Sequence, residues 1–228
     1  MKIVSIIQAR MNSNRLAGKI LLQINKKPII DYLIDRLKII KKLDNIIIST
    51  TTSKKDNVLV NHCLKKKYSF FRGSEKNVLQ RIYKTAKKYK GDVILFITAD
   101  CPIIDIRITK KILNFYLKNH NKFDYVGNSF VRSFPDGMDV QVFSFKALEK
   151  NYKIVKNKLE KEHVTLGIKN NSKKFKIKNI IAPKKLFWPD LGLTLDEKYD
   201  FILIKKINLY FKKKKNFSFN LEEIINLL

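Results

Sequence analysis

The chain of 228 residues contains little glycine, proline or cysteine: 7, 5 and 2 residues, respectively. So few glycines and prolines, with no tract rich in either, exclude a collagen-like, linker-dominated or wholly disordered chain. The two cysteines, Cys63 and Cys101, show neither a CxxC spacing nor a nearby histidine cluster, so we expect buried thiols rather than a metal site or a disulfide. A hydrophobic content of 45% predicts a globular chain with a sizeable core.

Long hydrophobic runs and targeting signals are also missing. No apolar run reaches the roughly 18 residues that a membrane span needs. The chain enters an isoleucine-rich strand pattern at Lys2–Gln8 without the basic region and cleavage site of a signal peptide. These observations predict a cytoplasmic protein without a membrane span.

Acidic residues are scarce, with 20 against 48 basic residues, which gives a net charge of +28. Such a charge normally suggests nucleic acid or an anionic membrane as a partner. However, 41 of the basic residues are Lys and only 7 are Arg, and 31 Ile and 20 Asn accompany them. Lys, Ile and Asn have AT-rich codons, so a base-composition bias explains the charge better than selection for phosphate contacts. A basic nucleic-acid-binding protein is kept as an alternative, but no specific nucleic acid is expected.

Strand and helix patterns alternate in the first half of the chain. Continuous apolar runs predict strands at Lys2–Gln8, Ile46–Thr50 and Asp92–Thr98. Helical stripes lie between them, and Gly91 is expected as the C-cap of the helix before the last of these strands. The alternation predicts a mostly parallel α/β sheet.

The second half has a more mixed pattern. We expect short strands at 123–126, 175–181 and 193–195 and helices at 159–168 and 200–211. Met138–Phe145 alternates like an antiparallel or edge strand, which predicts either pairing across a dimer or an ordinary sheet edge. Asn220 and Glu223 predict a capping box for a terminal helix.

A polar loop after the first strand holds three cations within ten positions: Arg10, Arg15 and Lys19. Arginine binds phosphate in a planar, bidentate manner and lysine acts as a point charge, a combination that suits a triphosphate held partly by backbone amides. The GxxxxGK[ST] pattern is absent, because Ile20 follows Lys19, so P-loop chemistry is disfavoured. A solvated basic loop is the alternative interpretation.

Two aspartates, Asp100 and Asp196, each follow an apolar strand pattern. Mg²⁺ takes one or two protein carboxylates together with phosphate oxygens. Asp100 could instead be a helix N-cap or a turn aspartate, and Asp196 could be a helix cap. Because ligands of open α/β sheets bind beyond the carboxyl ends of the strands, the aspartates and the cationic loop together predict a site for a metal and a triphosphate.

Six segments resemble, in the same order, those of the SpsF-type spore-coat polysaccharide biosynthesis proteins. These belong to the sugar cytidylyltransferase family, which includes the acylneuraminate and 3-deoxy-manno-octulosonate cytidylyltransferases. The segments are IIQARMNSNRLAGKIL (Ile6–Leu21), FRGSEKNVLQR (Phe71–Arg81), ITADCPII (Ile97–Ile104), FPDGMDVQVFSF (Phe134–Phe145), EHVT (Glu162–Thr165) and LTLDEKYD (Leu193–Asp200).

The resemblance implies a nucleotide-diphospho-sugar transferase fold, a Rossmann-like three-layer α/β/α sandwich with a mostly parallel mixed sheet. It further implies one domain over 1–228, with a nucleotide-binding half at 1–120 and an acceptor-binding half at 121–228 that holds a dimerisation segment. The implied reaction is Mg²⁺-dependent transfer of CMP from CTP to a hydroxyl of a sugar or sugar-like acid, with release of pyrophosphate. The product would serve surface polysaccharide or glycoconjugate synthesis, and a homodimer is expected.

The resemblance also implies roles for individual residues. The expected catalytic set is Arg10, Arg15 and Lys19 on the triphosphate with the metal ligands Asp100 and Asp196. The nucleotide would be held by Gln8, Ala9, Arg10, Asn12, Arg15, Lys19, Arg72, Gly73, Ser74 and Ala99. The acceptor would face Asp136, Asp139, Glu162 and His163. For His163, a proton acceptor, a hydrogen bond to substrate and a packed helix residue are all left open.

Three positions depart from the family pattern: Ala17, Ala99 and Gly192 stand where Pro, Gly and Arg are common. If that arginine contacts an acidic acceptor, this chain uses a different one. A glycosyltransferase of the same fold, using a pre-formed nucleotide sugar, is the closest alternative. It needs a DxD-like motif, whereas Asp100 is followed by Cys101 and Pro102, which favours nucleotidyl transfer. The acceptor itself is not readable from the sequence.

Overall fold

A computed structural model describes residues 1–216 and 218–228. The strands are β1 (Ile3–Gln8), β2 (Gln23–Ile24), β3 (Lys27–Pro28), β4 (Asn45–Thr51), β5 (Ser69–Gly73), β6 (Val93–Thr98), β7 (Tyr125–Gly127), β8 (Gln141–Ser144) and β9 (Ile177–Asn179). The α-helices are α1 (Ile29–Lys38), α2 (Asn57–Lys66), α3 (Val78–Lys88), α4 (Ile106–Lys118), α5 (Phe145–Ile154), α6 (Lys158–Glu162), α7 (Leu166–Asn170), α8 (Lys198–Lys213) and α9 (Leu221–Ile225).

Within the described residues, seven strands form one sheet in the order β5-β4-β1-β6-β8-β7-β9. The first four of these are parallel neighbours. Strand β8 is antiparallel to β6 and to β7, and β9 is parallel to β7. Strands from both halves of the chain therefore share a mostly parallel mixed sheet.

Helices cover both faces of this sheet. Successive side chains of a strand point to opposite faces, so the apolar strands need a core on each side. In β1, Ile3 and Ile7 pack into a core that also contains buried residues of α1, α4, α8 and α9. Val4 and Ile6 pack into a second core with α3, α5 and α7. The predicted three-layer α/β/α sandwich is confirmed.

Strand β8 lies inside the sheet rather than at its edge. The predicted antiparallel character of Met138–Phe145 is confirmed, but only Gln141–Ser144 form the strand and Phe145 begins α5. Because β6 and β7 already occupy both hydrogen-bonding sides of β8, the expectation that this segment is a sheet edge is wrong, while a part for it in a dimer stays a prediction.

The predicted helix at 159–168 is broken into α6 and α7. His163 is extended, at φ −101° and ψ 96°, and Asn151 donates its side-chain amide to the carbonyl of Val164 at 2.8 Å. Because of this tertiary hydrogen bond and the burial of the Val164 side chain, the three residues between α6 and α7 are not helical.

The predicted strand at 193–195 is absent from the described residues. The segment instead forms single backbone contacts: an isolated bridge between Asp136 and Gly192, and a hydrogen bond from the Leu195 amide to the carbonyl of Asp100 at 2.8 Å. The apolar residues that suggested a strand are buried, so burial without a continuous partner strand explains the wrong prediction.

Gly91 does not provide the left-handed residue after α3, because Lys90 adopts φ 52° there. A Cβ at Gly91 would lie 2.4 Å from Cγ2 of Val4. Glycine at this position thus permits a close approach to β1, a different reason from the predicted C-cap.

Several smaller predictions are confirmed. Cys63 and Cys101 are buried free thiols, and burial raises the pKa of Cys101 well above its usual value. The capping box of Asn220 and Glu223 begins α9. No helix among the described residues is long and apolar enough to cross a membrane.

Candidate active site

The carboxyl ends of β1 and β6 lie side by side, since Gln8 pairs with Thr98 in parallel register. A cavity of about 290 Å³ lies beyond these two strand ends. The predicted residues that line it are Gln8, Ala9, Arg10, Arg15, Lys19, Ala99, Asp100 and Asp196. The cavity is also lined by Ser13, Asn14, Ile20 and Thr98, which were not predicted. Each of them is adjacent in the sequence to a predicted residue, and this adjacency was the available signal.

Lys19 joins the two predicted metal carboxylates. Its Nζ lies 3.2 Å from Oδ2 of Asp100 and 2.9 Å from Oδ1 of Asp196. Lys19 is only 8% exposed, and a buried ammonium requires compensation by opposite charge. Gly18, in the left-handed region at φ 69°, turns the chain into the short 3-10 helix that begins at Lys19. Carboxylates far apart in sequence thus converge on one cation.

Neither aspartate caps the helix that follows it, although Asp100 does lie in the turn after β6, as its alternative interpretation predicts. The N-cap of α4 is Asp105, which accepts from the amides of Arg107 and Ile108. At α8, the side chain of Asp200 accepts from the amides of Asp196 and Glu197 at 2.8 and 2.7 Å. Asp100 and Asp196 therefore keep their carboxylates for the cavity.

The two arginines of the loop are more exposed than Lys19. Arg15 Nη2 lies 2.8 Å from Oδ1 of Asp196, and the Arg15 side chain is 59% exposed. Arg10 is also exposed. Asn12 lies outside the cavity lining, with Nδ2 3.5 Å from Oε1 of Glu75. The cavity thus combines one buried cation with two that solvent reaches.

Buried Asp56 anchors the cationic loop at its base. Its Oδ1 accepts from the amide of Met11 at 2.8 Å, and its Oδ2 accepts from the hydroxyls of Thr50 and Thr51 and from the amide of Thr51. Burial raises the pKa of Asp56, but the hydrogen bonds from Thr51, Met11 and Thr50 outweigh it and lower the pKa overall. Asp56 was not among the residues predicted for the site.

The predicted nucleotide residues Arg72, Gly73 and Ser74 lie outside the cavity lining. Arg72 donates from Nε to the carbonyl of Thr51 at 2.9 Å and from Nη2 to that of Ser53 at 2.8 Å. Ser74 accepts from the amide of Asn77 at 3.0 Å. Arg72 thus supports the β4 end that also holds Asp56, and its predicted contact with the nucleotide stays a prediction.

Arg81 is a fully buried arginine in α3 that sequence reasoning did not single out. Its Nη1 donates to the carbonyl of Ser74, and its Nε and Nη2 have no hydrogen-bond partner among the described residues. Burial, followed by the charge of Arg10, lowers the pKa of Arg81 to about 10. An arginine within the apolar stripe of a helix, in a chain so poor in arginine, was the available signal.

A second polar group, which we name the aspartate wall, consists of Arg132, Asp136 and Asp139. Arg132 pairs with Asp136 at 3.1 Å and with Asp139 at 3.6 Å. Burial raises the pKa of Asp139 to about 6; Arg132 opposes this, while Asp136 and Asp100 add to it. Backbone hydrogen bonds run from the Leu193 amide to the carbonyl of Asp136 and from the Leu195 amide to that of Asp100, both at 2.8 Å, so the wall adjoins the segment that leads to Asp196. Arg132 was missed, although another scarce arginine four residues before Asp136 was a usable signal.

None of the four predicted acceptor residues lines the cavity itself, and two of them, Glu162 and His163, are not part of the aspartate wall either. Glu162 ends α6 and His163 follows it, and both are exposed. The interpretation of His163 as a packed helix residue is wrong, because it lies between α6 and α7. Its roles as a proton acceptor or a hydrogen-bond partner stay predictions.

The protein is a three-layer α/β/α sandwich, with cations and carboxylates around a cavity at the carboxyl edge of its sheet. This is the architecture of a nucleotidyltransferase. A cytidylyltransferase from Leptospira borgpetersenii superimposes with a TM-score of 0.93 and 32% identity, covering 100% of this chain and 93% of that one. The Cytidylyltransferase family profile matches residues 4–225. The chain therefore belongs to the cytidylyltransferase family.

Two sequence relatives agree with this assignment. An uncharacterized protein of Methanocaldococcus jannaschii is 41% identical, with 100% of this chain and 90% of the relative covered. The spore coat polysaccharide biosynthesis protein SpsF of Bacillus subtilis is 31% identical, with 99% and 93% covered. The SpsF-type resemblance of the six sequence segments is thereby confirmed.

Proposed function

We propose that this protein transfers CMP from CTP to a hydroxyl of a sugar or sugar-like acid and releases pyrophosphate. The observation that carries the proposal is the convergence of Asp100, Asp196 and Lys19 in a cavity that Arg10 and Arg15 also line. The similarity to SpsF supports a role for the product in surface polysaccharide or glycoconjugate synthesis.

The loop after β1 is proposed to bind the triphosphate. Arg10 and Arg15 are exposed enough to contact phosphate oxygens. Their guanidinium groups suit bidentate phosphate contacts. Lys19 lies deeper and supplies a point charge next to the carboxylates. Asp56 keeps the loop in place through the amide of Met11, so the loop is positioned before the nucleotide arrives.

Asp100 and Asp196 are proposed to hold Mg²⁺. Their oxygen atoms already converge on one ammonium group, which shows that both carboxylates reach a common cation. No group of three or more acidic, histidine or cysteine residues that could bind a metal occurs in the described part of the chain. A pair of carboxylates fits Mg²⁺, which takes its remaining ligands from phosphate and water. The bound ion would supply neutralisation of phosphate charge.

In the proposed reaction, the acceptor oxygen forms a bond to the α-phosphorus as the bond from that phosphorus to the β-bridging oxygen breaks. The bonding electrons leave with pyrophosphate, and the hydroxyl proton passes to solvent. Arg10, Arg15 and Lys19 stabilise the charge that accumulates on the departing pyrophosphate. Because positioning and electrostatics account for most of the rate in phosphoryl transfer, a dedicated protein base is not required.

Thermal unfolding with each NTP, with and without Mg²⁺, tests this function. Ligand at 100 times its Kd stabilises the native state by about 2.7 kcal/mol, which is roughly 5–10 °C for a chain of this size. We expect a Mg²⁺-dependent rise with CTP that is lost in Asp100→Ala and Arg15→Ala.

Two control variants should keep that rise. Arg107→Ala removes an arginine that is 59% exposed, as Arg15 is. Asp35→Ala removes an aspartate that pairs with a lysine, Lys27, as Asp100 does. A rise with nucleotide sugars alone would favour the glycosyltransferase alternative, and no rise with any nucleotide would refute the proposal. The expected homodimer, cytoplasmic location and division into two halves stay predictions.

A further inference from the structure

The aspartate wall carries more negative than positive charge. One guanidinium, that of Arg132, is shared between the carboxylates of Asp136 and Asp139. The three side chains are 40%, 47% and 25% exposed, respectively, so a small molecule can reach all of them. The wall therefore offers carboxylate oxygens as hydrogen-bond acceptors to a ligand.

The sheet register places this wall beside the cavity. The antiparallel pairing of β6 and β8 runs from Val93 and Ser144 to Phe96 and Gln141. Asp139 comes two residues before Gln141, and Thr98, which lines the cavity, comes two residues after Phe96, so both follow from the same end of this strand pair. Asp136 is bridged to Gly192, four residues before Asp196. The wall thus adjoins the candidate active site through both β6 and the segment that carries Asp196.

The two sides of the site attract opposite groups. The loop with Arg10, Arg15 and Lys19 suits phosphate, whereas an anion at the wall would meet two carboxylates with one guanidinium between them. Like-charge contacts of this kind reject a ligand. Hydroxyl and ammonium groups instead donate to carboxylate oxygens. The net charge of +28 attracts anions to the whole surface, so discrimination among acceptors must come from local contacts.

We propose that the aspartate wall selects acceptors that present hydroxyl or amino groups to it. The acceptor class is therefore a neutral polyhydroxy sugar or an amino sugar rather than a sugar acid or sugar phosphate with its anionic group on this side. Asp136 and Asp139 accept hydrogen bonds from the acceptor, and Arg132 holds the two carboxylates in place. This inference rests on the proposed cytidylyl transfer.

Gly192 provides a way to change the charge of the wall without disturbing it. A Cβ added at Gly192 meets no atom within 4 Å. Its φ is not in the left-handed region, unlike those of Gly18 and Gly137. Gly192→Lys therefore adds a cation next to Asp136, and Gly192→Gln adds a side chain of similar length without charge.

The test measures pyrophosphate release with CTP, Mg²⁺ and matched sugar pairs that differ by a carboxylate: glucose and glucuronate, and galactose and galacturonate. Glucosamine is added as the amino sugar. We expect faster release with the neutral and amino sugars. Gly192→Lys and the double variant Asp136→Asn/Asp139→Asn should each shift the rate ratio towards the acids by about tenfold, whereas Gly192→Gln should leave it unchanged.

Three outcomes overturn the inference while CTP still raises the melting temperature, the third being an unchanged ratio in Gly192→Lys. The first is release with the sugar acids at rates equal to or above those of the neutral sugars. The second is no release with any neutral or amino sugar. If CTP has no effect on melting, the proposed function itself fails, and the inference fails with it. An unchanged ratio in Gly192→Lys would show that the wall does not select the acceptor.

Discussion

The cationic loop after β1 and the aspartate wall lie at the same edge of the sheet but differ in charge and in construction. Residues 9–19 contain three cations and no acid, and one contiguous stretch supplies them. The wall holds two carboxylates and one arginine, and it is fixed by a backbone bridge to a segment more than fifty residues later. One sheet edge can thus present both signs of charge, because each strand end contributes its own sequence.

The largest expected effect is that of Lys19→Met on the loop side. The substitution leaves Asp100 and Asp196 without their shared cation and removes a charge from the triphosphate site. We expect pyrophosphate release to fall by about 100- to 1000-fold, the usual cost of losing one preorganised charge-stabilising group. Lys27→Met removes an exposed lysine that also pairs with an aspartate and should keep full activity. If Lys19→Met kept an activity near that of the unaltered protein, the loop would not supply the charge stabilisation that distinguishes it from the wall.

The base of the loop is tested by Asp56→Ala. The substitution removes a buried acceptor of four hydrogen bonds, so we expect the free energy of unfolding in urea to fall by about 2–3 kcal/mol. Asp56→Asn keeps one acceptor oxygen and should lose less. Equal losses in the two variants would mean that packing, rather than hydrogen bonding, anchors the loop.

On the wall side, Asp139 should make stability depend on pH. Its pKa is raised from 3.8 to about 6 in the folded protein, so the folded chain binds this proton more tightly than the unfolded chain. The contribution of Asp139 to the free energy of unfolding therefore falls as the pH rises through this interval and is constant above it. Relative to Asp139→Asn, we expect the unaltered protein to lose about 1–3 kcal/mol between about pH 4 and pH 7. Urea unfolding at several pH values measures this, and parallel pH profiles for the two proteins would contradict it.

The smallest expected effect on stability is that of Arg15→Ala. Its ion pair with Asp196 is exposed on the arginine side, and such pairs contribute little. We expect the free energy of unfolding to change by less than about 0.5 kcal/mol, although the effect of CTP on melting is lost. A larger loss of stability would show that the loop depends on this pair as much as on Asp56.

The sequence predicted the loop side well for a physical reason. Strands β1 and β6 are buried on both faces, so they appear as continuous apolar runs, and the residues that follow them lie at the carboxyl edge of a parallel sheet. Arg10, Arg15 and Lys19 are contiguous with β1, which made their proximity predictable. The contacts of Arg15 and Lys19 with Asp196 were harder to predict, because single backbone hydrogen bonds rather than a strand place Asp196 there.

The wall side was harder to predict because β8 runs against its neighbours. In a reversed strand, the residues before it, rather than after it, lie at the active edge, so Asp139 reaches the site from the opposite direction. Arg132 gives no periodic signal, and its role depends on tertiary pairing. The break at His163 likewise arises from a hydrogen bond between Asn151 and Val164, which no local pattern encodes.

The position of Lys19 between two carboxylates makes it an internal counterion with a thermodynamic consequence. An arriving phosphate that draws the Lys19 ammonium towards itself leaves the carboxylates of Asp100 and Asp196 with less positive charge beside them. An added cation would then neutralise these carboxylates again. A cation that binds the carboxylates first releases Lys19 for the phosphate in the same way. If the proposed triphosphate and Mg²⁺ both bind here, their binding would therefore be mutually reinforcing, and each would raise the affinity for the other by the same factor.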